Sequence, residues 1–128
     1  MSADLEAEIL AVNQRLLHAI ISGDWEVYCD LCDSSLTAFE PEAAGHLVEG
    51  LPFHHFYFQL ERAPGPRYVT MSSPKVRLLG DVAVLTYVRL NQSLVDNQPV
   101  TSAVEETRVW HRQGGKWKHV HFHRSPIG

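Results

Sequence analysis

The chain has 128 residues, 45% of them hydrophobic, and a formal charge of −4, enough for one compact domain over 1–128 with its own core and too little for a second. An acidic balance without any run of Lys or Arg gives no general attraction for nucleic acid or an anionic membrane. The opening Met1-Ser2-Ala3-Asp4-Leu5-Glu6 is acidic where a secretory leader is basic, and no apolar run reaches the length of a membrane span, so a cytoplasmic protein is expected.

From Asp4 to Ile21, apolar residues at Leu5, Ile9, Val12, Leu16, Leu17 and Ile20 recur at helical spacing, and Ser22-Gly23-Asp24 supplies a stop followed by a new N-cap. Trp25, Tyr28, Cys29 and Cys32 then share one face of a second, short helix. The two cysteines form the pattern C-x-x-C, but they sit late in that helix rather than at its start, and too few cysteines are present for a structural zinc site. Helix packing is their expected role.

Leu36-Thr37-Ala38-Phe39 reads as a brief strand ending at Pro41. Leu51-Pro52 then opens a third helix, through Leu60, whose aromatics point to several sides and imply deep burial, and the loop Arg62-Ala63-Pro64-Gly65-Pro66 ends it. Four strand-like runs follow, at about 68–79, 82–95, 100–112 and 116–124. The turn signals Gly80-Asp81, Asn97-Gln98-Pro99 and Gly114-Gly115 separate them. Helices first and a meander second predict an α+β fold with helices packed on one face of a curved antiparallel sheet.

Alternation along those strands places an arginine in each inward stripe. Leu85, Tyr87 and Arg89 share one face, Glu106, Arg108 and Trp110 another, and Val120, Phe122 and Arg124 a third. A two-residue turn at Asn97-Gln98 sets Tyr87 opposite Arg108 and Arg89 opposite Glu106, on one side of the sheet. At the next turn a two-residue Gly114-Gly115 loop sends Arg124 to the opposite face, whereas a three-residue loop with a Gly bulge brings it beside Arg108. Inward arginines need anions: they line an open cavity, pair with Glu106 or another carboxylate, or hold a carboxylate ligand.

His119, His121 and His123 alternate along the last strand and would share a face, outward beside Thr107, Val109 and His111 if the three-residue loop forms. No Cys or carboxylate on that strand completes a ligand set, so neither metal nor cofactor is expected. The outward face, with Val84, Thr86, Val88 and Val109, is apolar enough to serve as an assembly surface. A base such as His54 or Glu106 near Tyr28 would be the means of any catalysis in the cavity. No nucleophile elbow, phosphate loop, dinucleotide fingerprint or zinc-hydrolase motif is present.

Several stretches in order resemble the association (hub) domain of calcium/calmodulin-dependent protein kinase II. They are Gly23-Asp24-Trp25-Glu26-Val27-Tyr28, Leu36 through Ala43, Gly45 through Gly50, Phe53-His54-His55-Phe56-Tyr57-Phe58, Tyr87-Val88-Arg89-Leu90, Glu105 through Arg112, and Gly115-Lys116-Trp117 with Val120 through Ser125. The resemblance covers nearly the whole chain. It implies the cone-shaped fold shared with nuclear transport factor 2, ketosteroid isomerase and SnoaL-like proteins, and assembly as a homodimer or a larger ring, a dodecamer or tetradecamer. It further implies a pocket lined by Arg89, Arg108 and Arg124, with Tyr28 and His54 nearby, for a small carboxylate ligand or an acidic or tyrosine-containing peptide segment. This favours the three-residue hairpin register. A kinase partner follows by family analogy alone, and His55 and His119 depart from the usual family residues. The alternative is a small SnoaL- or isomerase-like enzyme using the same cavity.

Overall fold

A computed structural model describes residues 2–62 and 65–127. Helix α1 spans Ser2–Ser22 and buries Ile9, Leu16 and Leu17 completely; each such side chain withdrawn from water contributes about 1.5–3 kcal/mol. Asn13 lies on the same buried stripe, where its Oδ1 accepts from Trp110 Nε1 at 3.0 Å. The chain reverses at Gly23, whose φ of +74° suits glycine. Asp24 caps α2, Trp25–Leu31, by accepting from the Val27 N–H.

Strand β1 runs over Cys32–Phe39, longer than the four residues expected, and Cys32 begins it. A 3-10 turn at Pro41–Ala43 and the two-residue strand β2, Val48–Glu49, follow. Helix α3, Pro52–Phe58, buries only His54, while Phe56 and Tyr57 are exposed, so the deep burial expected of it does not occur. Its hold on the body is aromatic: Trp25 stacks on His55 at 4.5 Å, and Phe58 meets both Trp25 and Tyr28. The loop expected at 62–66 falls partly outside the described residues, which exclude Ala63 and Pro64.

Strands β3 (Tyr68–Leu79), β4 (Val82–Val95), β5 (Gln98–Gln113) and β6 (Lys116–Pro126) form the meander. The six strands make one sheet in the order β2-β1-β6-β5-β4-β3. It is mixed rather than wholly antiparallel, because β1 lies parallel to β6. Helix α1 crosses the inward side of β3, where Gln14 Nε2 donates to the Val69 carbonyl.

Two registers differ from expectation. The β4–β5 turn is Asp96-Asn97, with φ of +52° and +64°, so Tyr87 faces Glu106, Leu85 faces Arg108 and Arg89 faces Val104. Positive φ at both centres is the hairpin geometry that matches strand twist, and it moves the pairing by two residues without changing which side each residue occupies. The β5–β6 turn is the two-residue Gly114-Gly115 loop, with Gln113 facing Lys116. An extra residue at Val120 then shifts the pairing, from Trp110 against His119 to Val109 against His121. The bulge expected at the turn is therefore inside the strand. It puts His119 inward and fully buried, with His121 and His123 on the other side, so the three histidines do not share a face.

Candidate functional site: an arginine-lined cavity

Ahead of the bulge, Trp117 and His119 point into the core; beyond it, Phe122 and Arg124 do. Arg124 thus comes beside Glu106, and Glu106 beside Tyr87, in one cross-strand row. A cavity of about 180 Å³ opens over this row, lined by Tyr28, His54, Arg89, Arg108 and Arg124 together with Glu40, Glu42, Tyr57, Phe58, Phe122 and Ile20. Five of the six residues singled out from the sequence line it, and the sixth, Glu106, lies behind the arginines.

Glu106 is the electrostatic centre. Its Oε2 lies 3.0 Å from Arg89 Nη1 and 3.1 Å from Arg108 Nη2, and its Oε1 accepts from the Tyr87 hydroxyl at 2.5 Å. Burial alone would raise the carboxyl pKa, but the guanidinium groups of Arg108 and Arg89 and the Tyr87 O–H hold it below its ordinary value. Burial raises the Tyr87 hydroxyl to about 12, against the opposing pull of Arg108.

Each guanidinium nitrogen of Arg108 has a partner. Nε donates to Tyr87 Oη at 2.9 Å, Nη2 to both Glu106 oxygens, and Nη1 lies 3.4 Å from His119 Nε2. Its guanidinium carbon also sits 4.4 Å from the Phe122 ring centroid. Arg108 therefore forms the cavity wall and holds Glu106, with little left for a ligand.

Arg89 differs. Its Nη1 reaches Glu106, but its buried Nε has no hydrogen-bond partner among the described residues. Burial lowers its pKa, Glu106 opposes that, and Arg108 and Arg124 add to it. His54 Nε2 lies 2.5 Å from Glu40 Oε2, while its buried Nδ1 has no partner among the described residues. Buried unpaired groups of this kind cost about 1–3 kcal/mol each unless something satisfies them.

Glu40, Glu42 and the inward position of His119 are parts of this site that the sequence reading does not anticipate, whereas Tyr87 stands on the inward stripe expected of it. Glu40 was within reach: it continues the inward series Leu36, Ala38 by the same two-residue step. Both glutamates meet Arg124, Glu40 at 3.5 Å and Glu42 through both carboxylate oxygens. Burial would lower the Arg124 pKa, but the hydrogen bond and charge of Glu42 raise it instead. Three guanidinium groups thus meet three carboxylates. Cys32 packs in the core as expected, buried, its thiol pushed up to about 12 by burial and its Sγ 3.5 Å from His119 Nδ1, whereas Cys29 is only half-buried. Among the described residues no three His, Cys, Asp or Glu side chains come together as a metal site, and no helix is long and apolar enough to cross a membrane.

The calcium/calmodulin dependent protein kinase II association domain family matches residues 5–128. The chain belongs to that family. It is 50% identical over 122 residues to the delta subunit of the type II kinase from Oryctolagus cuniculus, a match covering 92% of this chain and 23% of that protein. The chain thus spans about a quarter of the length of this curated relative. Among solved structures it is similar to the kinase II hub homology domain of Chlamydomonas reinhardtii, at 52% identity and a TM-score of 0.92 over 97% of this chain and 99% of that one. It is also similar to the association domain from C. elegans, at 43% identity and a TM-score of 0.91 over 96% of each chain. A nuclear transport factor 2-like protein of Salmonella enterica, 20% identical with a TM-score of 0.80, shares the fold. The α+β architecture expected from the sequence is the one these association domains have.

Proposed function

We propose that this association domain assembles with copies of itself, and that its arginine-lined cavity holds a small carboxylate or an acidic peptide segment. The family match over 5–128 carries the assembly reading. The sheet face turned away from α1 supports it: Val84, Val88, Val109 and His121 are only half-buried there, and Phe39 is 42% exposed. A second copy seated on this face would cover them. The partner that the family suggests beyond a second copy is a kinase subunit.

The unpartnered Nε of Arg89 carries the ligand reading, since a buried guanidinium N–H calls for an acceptor. A catalytic use of the cavity has less support. Glu106, the buried candidate base, is held by two arginines and a tyrosine hydroxyl that favour its ionised, poorly basic form.

Native mass spectrometry of the chain at near-physiological salt tests both parts, since it reports subunit number and retained ligands. A large even-numbered assembly is expected, reduced to smaller species by Val109→Glu with the far-ultraviolet circular dichroism unchanged. A monomer at micromolar concentration overturns the assembly reading, and the absence of binding on titration with small carboxylates overturns the ligand reading.

A further inference from the structure

The three carboxylates that balance the cavity arginines are not equally fixed. Glu106 has a fully buried side chain and is bound by Arg89, Arg108 and Tyr87. Glu40 is 5% exposed and held by His54. Glu42 is 36% exposed and meets a single side chain, Arg124 Nη2. It sits on the short 3-10 turn Pro41–Ala43, after which the chain bends through two positive-φ residues, Ala44 and Gly45. A carboxylate at the cavity rim, on a turn, with one partner, can leave without stranding a buried charge.

We infer that Glu42 is a displaceable internal carboxylate: it closes Arg124 until an incoming carboxylate takes its place on that guanidinium and Glu42 turns out to solvent. This rests on reading the cavity as an anion site. A tethered competitor acts at an effective concentration in the millimolar range, and affinity for an outside ligand falls by the fraction of molecules in which Arg124 is closed. Simple carboxylates that touch Arg124 alone are thereby rejected. Those that also reach Arg89, which lines the same cavity, are admitted, which is selection by competition rather than by shape.

The test is calorimetric titration of succinate, in chloride-free buffer, into the full chain and into Glu42→Gln, Glu42→Asp and the double variant Glu42→Gln/Arg124→Gln. The neutral Gln and the shorter Asp both weaken the internal contact, and each is expected to tighten succinate binding, Gln by about tenfold. The gain disappears in the double variant. Equal affinity in wild type and both single variants, or weaker binding in them, overturns the gate and leaves the anion site standing. No binding by any of the four proteins overturns both.

Discussion

Glu106 and Arg108 stand two residues apart on β5, point to the same side, and meet through both carboxylate oxygens at 3.1 and 3.2 Å from Arg108 Nη2. Neither is more than 2% exposed. Removing one partner of such a pair leaves a buried charge without its counterion, at a cost of about 3–5 kcal/mol. Glu106→Gln is therefore expected to lower stability by that order in urea unfolding at fixed protein concentration. Pairing it with Arg108→Met restores part of the loss, a coupling that a double-mutant cycle measures.

His119 predicts a pH dependence. Burial first, then Arg108 and His54, hold its imidazole well below the ordinary 6.5, so it stays neutral in the fold. Arg108 lies at Nε2, which leaves the hydrogen on Nδ1, toward Cys32 Sγ. The unfolded chain takes up a proton below about pH 6.5 and the folded chain does not, so this contribution is complete above that pH and is lost as pH falls. The limiting slope is about 1.4 kcal/mol per pH unit. His121 pulls weakly in the same direction. Chemical denaturation between pH 7.5 and 5 should show this fall, and His119→Gln should flatten most of it.

The cap on α2 has a simple expected size. Asp24 accepts the Val27 N–H, and Asp24→Ala should cost about 1 kcal/mol by thermal or urea unfolding. Asp24→Asn, which keeps the acceptor, should cost much less.

The β4–β5 turn can be improved. Asp96 and Asn97 both hold positive φ, which Asn-Gly satisfies with less steric cost. Replacing Asp96-Asn97 by Asn-Gly should raise stability by about 0.5–1 kcal/mol in the same assay. A loss would mean that Asp96 or Asn97 makes a contact the free turn does not need.

Much of this was legible in the sequence because elements with one buried face announce themselves by period. Leu5, Ile9, Leu16 and Leu17 mark α1, and the alternation of Tyr87 with Arg89 and of Glu106 with Arg108 marks the cavity side of the sheet. The β4–β5 register was off by two residues, an error that preserves facing. The third helix was misread because its aromatics stack laterally on Trp25 and Tyr28 instead of filling a core. Glu42 was missed because its position depends on a 3-10 turn that no periodic pattern records.

The extra residue at Val120 gives β6 two opposite reading frames. In the first half the odd-numbered side chains, Trp117 and His119, go inward; in the second half the even-numbered ones, Phe122 and Arg124, do. One residue thus acts as a phase inverter. Were β6 regular through Val120, with no bulge there, His121 and His123 would replace Phe122 and Arg124 along the cavity floor, putting imidazoles where a permanent cation now stands. The cavity's charge is therefore governed by a position that contributes no charge of its own.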